Sequence, residues 1–112
     1  MHQAYPKWTL STDKELKFIF RLGRATRHNQ LCFDIKNCIG GGQWVMNQET
    51  KEIWLHGHSD EFGWADINKL KEALPVCEFF QKRFPNWVIY FTDMTMHTHA
   101  IEQNAYQKIY PL

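Results

Sequence analysis

Four of the six histidines fall in two short pairs, His56-x-His58 and His97-x-His99. An unperturbed imidazole titrates close to neutrality, so such a side chain suits acid–base or nucleophilic work. His58 is the best placed. It opens His58-Ser59-Asp60, inside a loop bounded by Gly57 and Gly63, and Asp60 is the nearest carboxylate that could orient it. The plainer reading of His58 is a surface histidine. Ser59, with the backbone donors of residues 57–61, can form an anion-binding nest; alternatively its hydroxyl caps the turn. On strands, the i, i+2 spacing puts both imidazoles of a pair on one face. A four-nitrogen metal site would still need the tail to cross beside residues 56–58. No carboxylate spacing or cysteine pair supports that, so no metal and no cofactor is expected. Cys38 is read as an inert strand thiol.

These groups are carried by one conspicuous stretch. Cys38 to Met46 and Lys51 to Ser59 are β-prone runs flanking Asn47-Gln48-Glu49-Thr50, which predicts a hairpin. Gly40-Gly41-Gly42 lies within its first arm, where no turn is required; glycine there marks a bulge or a close approach of backbone or ligand. Upstream, Lys7 to Leu10 reads as an edge strand, and Leu16, Phe18, Phe20 and Leu22 alternate, giving a strand over 15–22. The Thr12-x-x-Glu15 capping-box spacing is set aside as accidental. Gly23 to Asn29 is a loop, and Leu31, Phe33 and Ile35 share a strand face leading toward Cys38. Ile67, Leu70 and Leu74, then Phe79, Phe80 and Phe84, have helical period interrupted by Pro75, which predicts helices over 65–73 and 76–83. Residues 87–91 suit a central strand, and Ile101, Ala105 and Ile109 a short helix over 99–109.

The expected fold is therefore α+β: a single two-layer domain over 1–112, with a mostly antiparallel sheet and helices packed on it. The chain has 13 basic and 12 acidic residues and a net charge of +1. That balance argues against nucleic acid as a partner, since phosphate contacts need a clustered excess of Lys and Arg; the group Arg21, Arg24, Arg27 and His28 is a local exception. No apolar run spans a bilayer and no signal-peptide pattern opens the chain. Three cysteines without a Cys-x-x-Cys motif fit reduced thiols, so a cytoplasmic location is expected. Five tryptophans, among them Trp44, Trp54 and Trp64, offer candidate contact surface, although packing accounts for at least two of those three.

The run Cys38-Ile39-Gly40-Gly41-Gly42, the interval to Lys51-Glu52-Ile53, then Gly57-His58-Ser59, Phe62-Gly63, Ala65 and Phe84-Pro85-Asn86-Trp87 resembles the Janus/ocnus family of phosphohistidine phosphatases. The resemblance implies that family's fold. It also places Lys17, in Leu16-Lys17-Phe18-Ile19, where the family has a phosphate-binding lysine, and sets Gly41 and Ser59 beside the anion. In the family a helix carrying the catalytic histidine precedes the glycine strand. Here that interval is short and basic, and His28 is its only histidine. Gln43 stands where the family can carry an arginine. His58 and His28 are thus the candidate catalytic residues, and Lys17, Gly41 and Ser59 the candidate anion-binding residues. The expected function is a small Janus-like domain acting as a non-catalytic protein-binding or inhibitory module, such as an immunity or anti-defence protein, with an anion-binding pocket. The alternative is a phosphohistidine phosphatase acting on phosphorylated proteins or peptides.

Overall fold

A computed structural model describes residues 4–32 and 35–111. Six strands form one sheet: β1 (Tyr5–Thr12), β2 (Phe18–Ala25), β3 (Cys38–Asn47), β4 (Glu52–His56), β5 (Val88–Phe91) and β6 (Gln107–Tyr110). Their order across the sheet is β2-β1-β3-β4-β5-β6. All neighbours are antiparallel except β4 and β5, which are joined through helices α1 (Ile67–Ala73) and α2 (Glu78–Arg83). A third helix, α3 (His97–Glu102), precedes β6. The α+β class and the mostly antiparallel sheet are as expected. Among the described residues no helix is long and apolar enough to cross a membrane.

Period-two alternation explains the packing. Trp8 and Leu10 of β1, Phe20 and Leu22 of β2, Ile53 and Leu55 of β4, and Ile89 and Phe91 of β5 are buried against Leu70, Leu74, Phe80 and Phe84 of the helical layer. Trp8 and Phe20 stack at 5.9 Å, and Phe80 meets Phe20 edge-on. The helices break where Pro75 breaks the pattern, and Asp66 caps α1 through Asn68 N at 2.8 Å. The intervening residues, such as Lys7, Thr9, Gly41, Gln43, Trp54 and His56, face the other side of the sheet.

Four boundaries differ from expectation. Lys7 to Leu10 belongs to β1, which is an inner strand between β2 and β3. β2 begins at Phe18 because Asp13 closes a tight turn before it: its carboxylate accepts from Glu15 N at 2.8 Å and Lys17 N at 2.9 Å, with Leu16 at φ 64°. The expected loop before Leu31 holds a 3₁₀ turn at His28–Gln30, and a second 3₁₀ turn at Ile35–Asn37 takes the end of the strand expected from Leu31; Phe33 and Asp34 lie outside the described residues. The tail helix ends at Glu102, Asn104 reverses the chain at φ 51°, and Ile109 reaches the core from β6.

The predicted hairpin is present, with Asn47 Oδ1 accepting from Glu49 N and Thr50 N. The β1–β3 register shifts beside the glycines, where Leu10 pairs with Gly40 but Ser11 with Cys38. Ile39 is the extra residue of that bulge.

Candidate functional site

On the face of the sheet away from α1 and α2 lies a cavity of about 540 Å³. β1 contributes Lys7; the turn after β2, Thr26, Arg27 and His28; β3, Gln43; the loop after β4, His58, Asp60 and Glu61; and the approach to α3, Thr95.

His28 is fixed from both sides. The Gln30 carboxamide accepts from Thr26 N at 3.0 Å and Arg27 N at 3.2 Å, while Leu31 N and Cys32 N donate to the His28 carbonyl. These local bonds shape the expected loop into a 3₁₀ turn. His28 is 6 % exposed, and its Nε2 lies 2.8 Å from the Gly42 carbonyl. A carbonyl only accepts, so Nε2 carries the proton and Nδ1 keeps its lone pair. Cδ2 and Nε2 lie against the glycine strand, which turns the Nδ1 edge away from it. Burial holds the pKa below the ordinary histidine value, and the charge of Lys7 adds to this. The Gly42 bond and the carboxylates of Glu61 and Asp60 act in the opposite direction. His28 is therefore a neutral base at neutral pH.

The glycine triplet makes this arrangement sterically possible. A Cβ on Gly41 would sit 2.7 Å from the Trp8 carbonyl, 2.8 Å from His28 Cδ2 and 3.3 Å from Ser59 Cβ. On the opposite face, a Cβ on Gly40 would meet Ala65 at 2.7 Å, and one on Gly42 would meet the Trp8 indole. The triplet thus serves close approach on both faces, with a bulge at its edge.

Ser59 is buried and caps its own loop, its hydroxyl accepting from Glu61 N at 3.2 Å and Phe62 N at 3.1 Å. Gly57 N and Ser59 N donate to Met94 O and Gly63 O. Three of the five donors of the expected nest are therefore engaged within the protein. The His58 ring lies tilted against Trp64 at 4.6 Å, and its Nε2 is 3.6 Å from the Asp60 carboxylate. Gln43 Nε2 donates to the His58 carbonyl at 3.2 Å, tying this loop to β3.

The structure brings His28, His58 and the Ser59 loop together over Gly41. Lys17 stands elsewhere. It is 73 % exposed, 3.4 Å from Glu15, and lines a separate cleft with Leu16, Phe18, Val76 and Phe79. The ammonium at the His28 cavity is Lys7, which sequence inspection reads only as a strand residue. Its significance depends on β1 pairing with the glycine strand, where Lys7 faces Gln43. His56 and His97 form a different group. His56 Nδ1 donates to the Thr95 carbonyl at 2.8 Å, His97 Nδ1 meets the Tyr106 hydroxyl at 2.7 Å, and the two rings lie 5.8 Å apart. Among the described residues no group of three or more His, Cys, Asp or Glu is placed to hold a metal ion.

Two of the three tryptophans weighed as contact surface are partly covered. Trp44 donates to Lys7 O and Gly23 O, and Trp54 stacks on Tyr90 at 4.1 Å. Trp64 is 49 % exposed.

No curated protein and no solved structure matches the chain. Against known protein families, residues 12–86 match the Janus/Ocnus family. That span takes in β2, the His28 turn, the glycine strand, the His58 loop and both helices of the crossover, so the chain belongs to the Janus/Ocnus family.

Proposed function

We propose that this protein is a phosphohistidine phosphatase with His28 as its nucleophile. The observation that carries the reading is the His28 ring, held through Nε2 by Gly42 and left with a basic Nδ1 at a cavity that also holds Lys7. In the reaction, the Nδ1 lone pair attacks the phosphorus of the substrate phosphoramidate. The substrate's P–N bond breaks, and its imidazole leaves with the bonding pair and takes up a proton. His28 keeps its Nε2 proton throughout, so the ring of phospho-His28 bears a positive charge and leaves readily as neutral imidazole. Water then attacks the phosphorus and loses a proton, releasing inorganic phosphate and regenerating neutral His28. Lys7 holds the phosphoryl oxygens as a point charge, and Arg27 adds positive potential at the rim. Phosphoryl transfer asks mainly for positioning and charge neutralisation, which these groups supply. The test is phosphate release from a peptide bearing one phosphohistidine, with alkaline quench and mass mapping to find the phosphoryl group on His28. Wild-type protein that releases no phosphate defeats the proposal.

A second reading, a non-catalytic protein-binding or inhibitory module, draws on the cleft around Lys17. Leu16 is 79 % exposed there, beside the exposed side chains of Val76 and Phe79. Contiguous apolar exposure of this kind is typical of contact surfaces. A monomer by light scattering that retains no specific partner from a native lysate would count against it.

A further inference from the structure

The His28 cavity is electrically divided. Lys7 and Arg27 stand on the side of β1 and the His28 turn, while Asp60 and Glu61 project from the loop after β4. All but Arg27 lie close enough for their charge to act on His28. For a site that receives a phosphoryl dianion alone, two carboxylates at the mouth are a cost, because like charges repel across a short distance. Their presence becomes favourable if the ligand brings a positive charge beside its phosphoryl group.

Two further features suit such a ligand. The cavity, at about 540 Å³, has room for a second side chain next to a phosphorylated imidazole. Trp64, half exposed and tilted against His58, which itself lies 3.6 Å from Asp60, offers an aromatic face at the edge of the cavity, and a Lys or Arg head group over an indole is attracted to its π cloud.

We infer that the substrate of this site is a polypeptide in which the phosphohistidine is flanked by a lysine or arginine, whose cation is received by Asp60, Glu61 and Trp64. The inference rests on the proposed phosphatase reading and adds the substrate class to it. Phosphoryl and cation would then meet opposite walls of one cavity, which fixes the direction of the chain across it as well as its composition.

Three synthetic peptides, each with one central phosphohistidine flanked by lysine, serine or glutamate, test this together with free phosphohistidine. The lysine-flanked peptide is expected to show a kcat/KM about tenfold above the serine-flanked one, with the glutamate-flanked one lowest. Added salt should narrow the spread, since exposed charges are screened. The double substitution Asp60→Asn, Glu61→Gln should bring the lysine-flanked peptide down to the serine-flanked rate. Both side chains are exposed, so the fold is kept, and a circular-dichroism melt verifies it. Equal turnover of the three peptides overturns the inference and leaves the phosphatase reading standing. A lysine preference that survives the double substitution overturns the assignment to Asp60 and Glu61. Absence of turnover on every probe, free phosphohistidine included, overturns both.

Discussion

Lys7 and Lys17 lie toward opposite ends of one strand pair, and the protein treats them differently. Lys17 sits at the turn between β1 and β2, most of its side chain in water and beside Glu15. Lys7 lies near the other end of the same strand pair, opposite Gly23 and Gln43, half-buried at the cavity that holds His28. An exposed ion pair of the Lys17 kind contributes little, because water screens it and ordering two long side chains costs entropy. A partly desolvated ammonium facing a neutral base and a cavity acts in a lower dielectric, where a phosphoryl charge is felt more strongly. Charge alone does not make an anion site; the surroundings of the charge do.

The sharpest test of this contrast removes the base. His28→Ala should lower phosphohistidine turnover by about a thousandfold or more, while His58→Ala leaves most of it. Comparable losses in both would mean the base had been placed on the wrong histidine. Next, Lys7→Ala should reduce kcat/KM by about a hundredfold, the scale seen when one preorganised charge-stabilising donor is removed. Gly41→Ala comes third. Its Cβ cannot fit between the Trp8 carbonyl and the His28 ring, so a denaturant midpoint should fall by the equivalent of about 1–3 kcal/mol and activity should drop with it. An alanine variant of native stability and full activity would mean that His28 does not lie on the strand in solution.

The pH response follows from burial. The folded pKa values of His28, His56 and His97 all lie below the ordinary 6.5, with burial the first cause in each; Lys7 also lowers His28, and His56 lowers His97. A depressed folded pKa means the unfolded chain binds protons first as pH falls. Their contribution to stability is therefore complete above pH 6.5 and is lost as pH drops through the folded values, so thermal melts should show Tm declining on that acidic side. The acidic limb of kcat/KM should have its midpoint below 6.5 for the same reason. The smallest effect belongs to Lys17→Ala, which should alter kcat/KM by no more than about twofold. A loss as large as that for Lys7→Ala would erase the distinction between the two lysines.

Local chemistry made much of the chain legible. Asn47 and its neighbours close the hairpin, Pro75 separates the helices, and the alternation of Phe18, Phe20 and Leu22 marks a strand, because each signal acts within a few residues. The same locality misplaced others. Asp13 bonds forward to Glu15 and Lys17 and delays β2, and Gln30 bonds back to Thr26 and Arg27, giving the loop after β2 the turn that holds His28. Such side-chain bonds compete with the ladder, and alternation cannot report them.

Residue types and their spacing were enough for the α+β class, for the glycine strand and its family, and for the polar groups available to a site. Which of those groups meet depends on the assembled sheet. β1 lies between β2 and β3, so Lys7 reaches the glycine strand, and the turn after β2 folds His28 onto Gly41 and Gly42. Those contacts join residues 13 to more than 30 positions apart. Periodicity tells which face of a strand a side chain takes, but the strand that lies beside it is chosen by packing of the whole sheet.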